Sequence, residues 1–218
     1  MKAQRKRIIG DQAFLLTGLG LGFTLTVQIT TLTAGDFADP YAIITTLSRF
    51  FALTGSYLSI IGLLLIARIP PVENALGHDR LVVWHRKAMP YALYMITAHV
   101  LLVALGYAGS EGIVVGREVW EMVTTYPWML PAFAGFILLI MAGVTSYKSV
   151  RNQITYETWW VIHLYTYLGV ALSFMHQILT GGMFIGHPLN RAYWVGLYVA
   201  VVVAIATWRI AIPLLRSF

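Results

Sequence analysis

The sequence contains no cysteine among its 218 residues. This absence excludes disulfides, iron–sulfur clusters, cysteine-bound zinc and covalently attached c-type haem. Charged residues are also scarce, at 11% of the chain, whereas hydrophobic residues make up 58%. A mean hydropathy of +0.72 is far outside the range of soluble domains and is typical of a polytopic membrane protein. Any metal cofactor must therefore be held without thiolate ligands.

Six hydrophobic segments are each long enough to cross a bilayer, which takes roughly 20 residues. They cover residues 9–32, 43–67, 81–107, 128–147, 158–180 and 192–214. We therefore predict an all-α membrane protein, a bundle of six transmembrane helices embedded in the lipid bilayer. The first segment has a basic start but no small-residue cleavage site after it, so we interpret it as a retained helix and not as a signal peptide.

The net charge of +6 is explained by membrane orientation and not by a nucleic-acid partner. With the N-terminus inside, the inner connections and helix ends collect 12 of the 15 lysines and arginines. The outer side collects only Arg49, Arg117 and Arg191. The positive-inside rule therefore predicts that both termini are cytoplasmic. We expect the protein to be a multi-pass protein of the plasma (inner) membrane. The longest outer connection, residues 108–127, mixes acidic and apolar residues, and we expect a short amphipathic segment there.

Four histidines lie inside two of the predicted helices, His85 and His99 in the third and His163 and His176 in the fifth. An ionisable side chain inside a membrane is costly and marks a functional site by default. Spacings of 14 and 13 residues separate the two members of each set by about 20 Å along the helix axis. Since both helices start inside, His85 pairs with His163 near the cytoplasm, and His99 pairs with His176 near the outer surface.

Imidazole is a common haem ligand, and each histidine pair can bind one iron from two sides. We therefore predict two stacked haems between the third and fifth helices. On an ideal helix His176 lies about 140° around from His163. Either the fifth helix is distorted, with Gly169 permitting a bend, or the two haems contact different sides of it. There are three alternatives to haem binding: four histidines that only form hydrogen bonds, a zinc or copper site, and a proton-relay transporter. A zinc or copper site needs clustered ligands, whereas these pairs lie about 20 Å apart.

Haem propionates need cationic partners, and three arginines are candidates. Arg80 and Arg86 flank the inner histidine of the third helix, and Arg49 lies in the outer half of the second. A charge at the position of Arg49 is expensive unless it is paired or reaches the membrane surface. We predict that Arg49 pairs with a propionate of the outer haem, and Arg86 serves either a propionate or the membrane topology.

The histidine pattern resembles the ferric reductase-like transmembrane domain superfamily, which includes ferric reductases and NADPH oxidases. The third helix carries His-x13-His and the fifth carries His-x12-His. Residues 78–86 (HDRLVVWHR) and 156–164 (YETWWVIHL) resemble the starts of the family's third and fifth helices, and residues 174–177 (FMHQ) resemble the outer end of the fifth. Arg49 matches a basic residue common on its second helix.

This resemblance implies an oxidoreductase in which two b haems carry electrons from a cytoplasmic donor to an outer acceptor, either ferric iron or oxygen. Many members continue into flavin and nicotinamide domains. We therefore expect residues 1–218 to form the membrane haem domain, with FAD and NAD(P)H on a missing domain or on a cytoplasmic flavin reductase partner. An alternative within the superfamily is a haem-binding membrane subunit that delivers electrons to a periplasmic reductase such as methionine sulfoxide reductase.

Overall fold

The computed structural model describes residues 2–217, and within that range the regular structure is entirely helical. In this described part of the chain, ten α-helices follow one another, with a 3-10 turn at Ala34–Phe37 and a π-helical stretch at Ile205–Ala211. The α-helices are α1 (Lys2–Ile29), α2 (Pro40–Leu65), α3 (Pro70–Leu76), α4 (His78–Glu111), α5 (Val115–Thr125), α6 (Met129–Ser146), α7 (Lys148–Arg151), α8 (Tyr156–Thr180), α9 (Pro188–Ala204) and α10 (Ile212–Arg216). The predicted all-α class is confirmed.

Five helical stretches in the described chain are long and apolar enough to cross a membrane. They are Lys6–Ile29, Pro40–Leu65, His78–Glu111, Met129–Ser146 and Pro188–Arg216. The protein is therefore an integral, multi-pass membrane protein. Helix α8 has 25 residues, which is sufficient length, but it is not one of these five stretches. The sixth transmembrane helix stays a prediction.

The chain divides into two compact units, and the first contains the described parts of residues 1–30, 50–96 and 192–218. Hydroxyl groups hold its apolar helices together. The Tyr57 hydroxyl donates to the carbonyl of Thr17 at 2.7 Å, and the Tyr193 hydroxyl donates to the carbonyl of Gly20 at 2.8 Å. Because a buried hydroxyl without a partner costs free energy, these bonds to α1 carbonyls satisfy the two tyrosines inside an apolar region.

The second unit contains residues 31–49 and 97–191, and a contact between two glycines joins its main helices. A Cβ atom on Gly135 of α6 would lie 2.6 Å from the carbonyl oxygen of Gly169 on α8, and one on Gly169 would lie 3.0 Å from the carbonyl oxygen of Gly135. Small residues permit such an approach, which is a common way for membrane helices to associate. Gly169 therefore has a packing role, and α8 continues through it as a helix.

The junction between α4 and α5 is built around Gly112, whose φ of +67° favours glycine. The amide of Gly112 donates to the carbonyl of Gly109, and that of Ile113 donates to the carbonyl of Ala108. This pair of bonds is the Schellman arrangement, which ends a helix and reverses the chain. Helix α5 then buries Glu118 and Met122 and exposes Trp120. The predicted amphipathic segment in residues 108–127 is confirmed.

Replacing Gly135 by alanine should destabilise the second unit. The added methyl group would have to push α6 away from the α8 backbone, and overpacking of this kind costs about 1–3 kcal/mol. Gly22→Ala is the matched control, because a Cβ there meets nothing within 4 Å. Thermal unfolding in detergent, followed by circular dichroism, should show a lower transition for Gly135→Ala only. Equal transitions in both variants would contradict the glycine contact.

Candidate functional site

Helix α2 fixes the two histidines of α4 through backbone carbonyl groups. Nδ1 of His85 lies 3.0 Å from the carbonyl oxygen of Gly62, and Nδ1 of His99 lies 3.1 Å from that of Ser48. A carbonyl oxygen can only accept a hydrogen bond, so Nδ1 carries the proton in both rings. In the neutral imidazole, Nε2 is then the atom with the lone pair. Metal-binding histidines are usually oriented in this way.

A repeat of seven residues sets the register between α2 and α4. In the first unit Gly62 faces His85, and seven residues away Gly55 approaches the carbonyl of Ala92. In the second unit Ser48 faces His99, and seven residues away the carbonyl of Tyr41 approaches Gly106. A Cβ atom on Gly55 would lie 3.0 Å from the carbonyl oxygen of Ala92. A Cβ atom on Gly106 would lie 3.2 Å from the carbonyl oxygen of Tyr41. These close approaches bring the carbonyl groups within reach of the imidazoles.

His163 on α8 is positioned by an aromatic neighbour and a serine. Its ring stacks on Trp159, with centroids 4.9 Å apart and planes inclined by 24°. Nδ1 of His163 lies 3.5 Å from Oγ of Ser146, the limit of a hydrogen bond, and the same oxygen accepts from Nε1 of Trp159 at 3.0 Å. Arg151 lies over the Trp159 ring, 5.0 Å from its centroid. The stacked Trp159 ring therefore covers one face of the His163 imidazole and fixes its orientation.

The structure brings His99 and His176 together in the second unit, close enough for their rings to interact electrostatically. The buried Nδ1 of His176 has no hydrogen bond of ordinary geometry among the described residues, although the carbonyl of Ser173 faces it one turn earlier. A buried nitrogen without a partner is costly and calls for an explanation. Because turning the ring over exchanges its two nitrogens, either one can act as a ligand.

Nitrogen donors without thiolates are a donor set that suits haem iron. Two of the four imidazoles are oriented through Nδ1 by a carbonyl, and a third has an unpartnered buried nitrogen. The residues present therefore fit bis-histidine haem binding. His85 lies in the first unit and His163 in the second, so the pairing of these two stays a prediction.

Arg49 has a partner that the sequence did not suggest. Its Nη1 atom lies 2.9 Å from Oδ1 of Asp36 in the 3-10 turn before α2. The backbone amide of Thr33 lowers the pKa of Asp36, burial opposes that change, and the Thr33 hydroxyl and Arg49 lower the pKa further. An open cavity of about 220 Å³ adjoins this pair, is lined about equally by polar and apolar atoms, and also contacts Tyr107 and Ser110. It has room for several water molecules or a small anionic group.

Arg80 and Arg86, the other two predicted propionate partners, are both exposed on α4. Neither forms an ion pair with any residue in 2–217. His187 is exposed, as expected, whereas His78 begins α4 and is half-buried beside Glu73. The groups that sequence analysis missed are the carbonyls of Gly62 and Ser48, because every residue has a carbonyl and only the helix packing selects two of them.

The long apolar helices define a multi-pass membrane protein. The family model described as ferric reductase like transmembrane component matches residues 51–174, more than half of the chain. The chain therefore belongs to this family. The match includes His85, His99 and His163, and it ends two residues before His176.

One curated relative is the protein-methionine-sulfoxide reductase heme-binding subunit MsrQ of Deinococcus radiodurans. It is 30% identical to this chain over 86 residues, which cover 39% of the chain and 42% of the relative. The similarity thus spans less than half of that protein's length. No solved structure matches the chain significantly.

The Arg49–Asp36 pair predicts a pH-dependent contribution to stability. A carboxyl group with a lowered pKa in the folded state stabilises the fold above its unfolded pKa, near the usual 3.8, and this stabilisation is lost as the pH falls through the lower folded value. Asp36→Asn should therefore be less stable than the wild type at pH 6, by roughly 1–2 kcal/mol for the loss of charge-assisted hydrogen bonds. The difference should shrink towards pH 3.

Thermal unfolding in detergent between pH 3 and pH 7 measures this difference. Asp11→Asn is the control, since its side chain is 72% exposed and an exposed ion pair with Arg7 contributes little. An Asp36→Asn deficit that stays constant across the pH range would show that charge on Asp36 is not its source.

Proposed function

We propose that this protein binds two b-type haems and transfers electrons across the membrane, from a cytoplasmic donor to an acceptor on the outer side. The observation that carries the proposal is the pair of carbonyl groups on α2 that orient His85 and His99. Both rings are left with Nε2 as the ligand atom, which is the state a haem iron requires. When bound, haem supplies reversible one-electron oxidation and reduction.

We assign His99 and His176 to the outer haem and His85 and His163 to the inner haem. The electrostatic interaction between His99 and His176 within the second unit, and the buried Nδ1 atom of His176, support the first pair. The second pair rests on the matched spacing of the histidines in the sequence, together with the fixed orientation of each ring by Gly62 and by Trp159. In this assignment the protein contributes ligation, ring orientation and exclusion of water.

The membrane arrangement that goes with this function has six helices, with α8 as the sixth transmembrane helix and residues 1–218 as one haem domain. Both termini face the cytoplasm of the inner membrane. The excess of lysine and arginine on the inner connections supports the orientation. Helix α8 is long enough to cross, and its lower hydropathy is the expected cost of carrying two haem ligands.

Arg49, Arg80 and Arg86 are the proposed partners of the haem propionates. Arg49 is the best supported, because it adjoins the cavity beside Asp36 and only its Nη1 atom is used by Asp36. Guanidinium groups have five N–H donors, so Arg49 can bind Asp36 and a propionate together. Arg80 and Arg86 are exposed beside the inner histidine, where a propionate can reach them.

The proposed donor is a cytoplasmic flavin reductase, either a domain or a separate protein, that draws on FAD and NAD(P)H. Ferric iron or oxygen is one class of acceptor. A partner protein is the second candidate acceptor. The chain is similar to the haem-binding subunit of a methionine sulfoxide reductase, and this similarity favours a partner protein as the acceptor. In that case the surface that faces the outer side would dock a periplasmic reductase.

Haem content in histidine variants tests the proposal directly. The wild type should contain two haems per chain, whereas His99→Leu and His85→Leu should each contain one, because one axial ligand alone holds haem weakly. Within the same series Arg49→Leu should lower the midpoint potential of the outer haem, since a nearby cation stabilises the reduced state. Pyridine haemochrome analysis and redox titration measure these quantities.

His187→Leu is the matched control, because it removes an exposed histidine from a loop and should leave both haems bound. A wild type with no haem after loading would sink the proposal and leave the proton relay as the alternative. A single haem would refute the stacked pair. An unchanged outer potential in Arg49→Leu would leave Arg49 with Asp36 as its only partner.

The two classes of acceptor are separated by reoxidation kinetics in proteoliposomes. Protein reduced from the cytoplasmic side should lose electrons to an added periplasmic methionine sulfoxide reductase at least tenfold faster than to a ferric chelate or oxygen if the partner protein is the acceptor. Equal or faster oxidation by the ferric chelate would instead assign ferric reduction to this chain.

A further inference from the structure

Three carboxylates converge where α4 meets α5. Glu111 is the last residue of α4, and Glu118 and Glu121 lie three residues apart on one face of α5. One oxygen atom of each lies within 4.8 Å of the corresponding atoms of the other two. The Gly112 turn contributes to this arrangement, because it ends α4 immediately after Glu111 and so lets the two glutamates of α5 lie near that residue.

Glu118 is the unusual member of this acidic cluster. It is only 1% exposed, and its Oε1 atom has no hydrogen-bond partner within the described chain. A buried carboxylate without a donor loses its hydration and gains nothing in return. Its neighbours Glu111 and Glu121 add repulsion between like charges. The packing of α5 thus holds a carboxyl group with one buried, unpaired oxygen atom beside two other carboxylates.

The acidic cluster has more negative charge than its neighbouring cation can neutralise. Among the side chains that the structure describes, Arg117 forms the one salt bridge to the cluster, at 2.8 Å from Glu121, and the arginine side chain is 70% exposed. With all three carboxylates ionised, the cluster and Arg117 together carry a charge of about −2. A divalent cation would neutralise that charge and would also give Glu118 its missing partner.

We propose that Glu111, Glu118 and Glu121 form a binding site for a hard divalent cation, with Ca²⁺ as the preferred ion. Carboxylate oxygens are the ligands that such ions select, and Ca²⁺ binds six to eight oxygens at 2.3–2.6 Å in a flexible geometry. Two oxygens on opposite sides of one Ca²⁺ are therefore about 5 Å apart, which accommodates the spread of this cluster. Water and backbone carbonyls complete the shell. This proposal is independent of the haem function.

Calcium binding should be measured on the full chain in detergent after metal removal with a chelator. Titration calorimetry with CaCl₂ should find one ion per chain, and the thermal transition should rise with Ca²⁺ concentration because the ion binds only the folded state. Glu118→Gln keeps the shape of the side chain and removes its charge, so it should bind Ca²⁺ at least tenfold more weakly. Glu157→Gln, which changes an exposed glutamate on α8, should bind as the wild type does.

Two results would overturn the site. One is a wild type that shows neither binding heat nor a thermal shift at millimolar Ca²⁺, which would mean that Glu118 is satisfied by a proton. The other is an unchanged affinity in Glu118→Gln. If that variant does not fold, the half-buried Glu121 provides the same comparison through Glu121→Gln. An affinity equal to that of the wild type in Glu121→Gln would also refute the proposal.

Discussion

The hydrogen bond from an imidazole Nδ1 to a backbone carbonyl of the neighbouring helix is the constraint on which this structure depends. A helical carbonyl already accepts one bond from its own helix, and it can accept a second only if the donor comes very close. Closeness requires small residues between the helices, and Gly55, Gly62, Ala92 and Gly106 supply them along α2 and α4. The tautomer of His85 and His99 is thus a result of helix packing.

The same constraint limits what can be inferred from the sequence. The four histidines were visible because an ionisable residue stands out in an apolar segment. The carbonyls of Gly62 and Ser48 were not visible, since a backbone group has no sequence signature. Asp36 was also missed, because it lies 13 residues before Arg49 in a connection, and only the folded turn brings its carboxylate back to the guanidinium. Long-range polar partners of this kind follow from packing and not from periodicity.

Helix α8 shows that polar residues with a functional role can lower the hydropathy by which a transmembrane helix is recognised. Its length and its position in the sequence predict a transmembrane segment, yet its hydroxyls, tyrosines and histidines interrupt the apolar run, and it is not one of the five stretches that are apolar enough to cross a membrane. Its contact with α6 relies on Gly135 and Gly169 instead of large apolar side chains. The amphipathic α5, in contrast, was predictable, because alternation of acidic and apolar residues survives in a short helix outside the apolar segments.

The seven-residue register has an evolutionary consequence for the length of this protein. Fourteen residues separate Ser48 from Gly62, and fourteen separate His85 from His99. These two pairs of residues are the anchors of the register on α2 and α4. Deleting or inserting one residue between the two anchors of either helix would rotate the second anchor by about 100° and move it about 1.5 Å along the helix axis. One histidine would then lose its carbonyl. Homologues adapted to thicker or thinner membranes should therefore change length at the helix ends and leave the interval between the anchors unchanged.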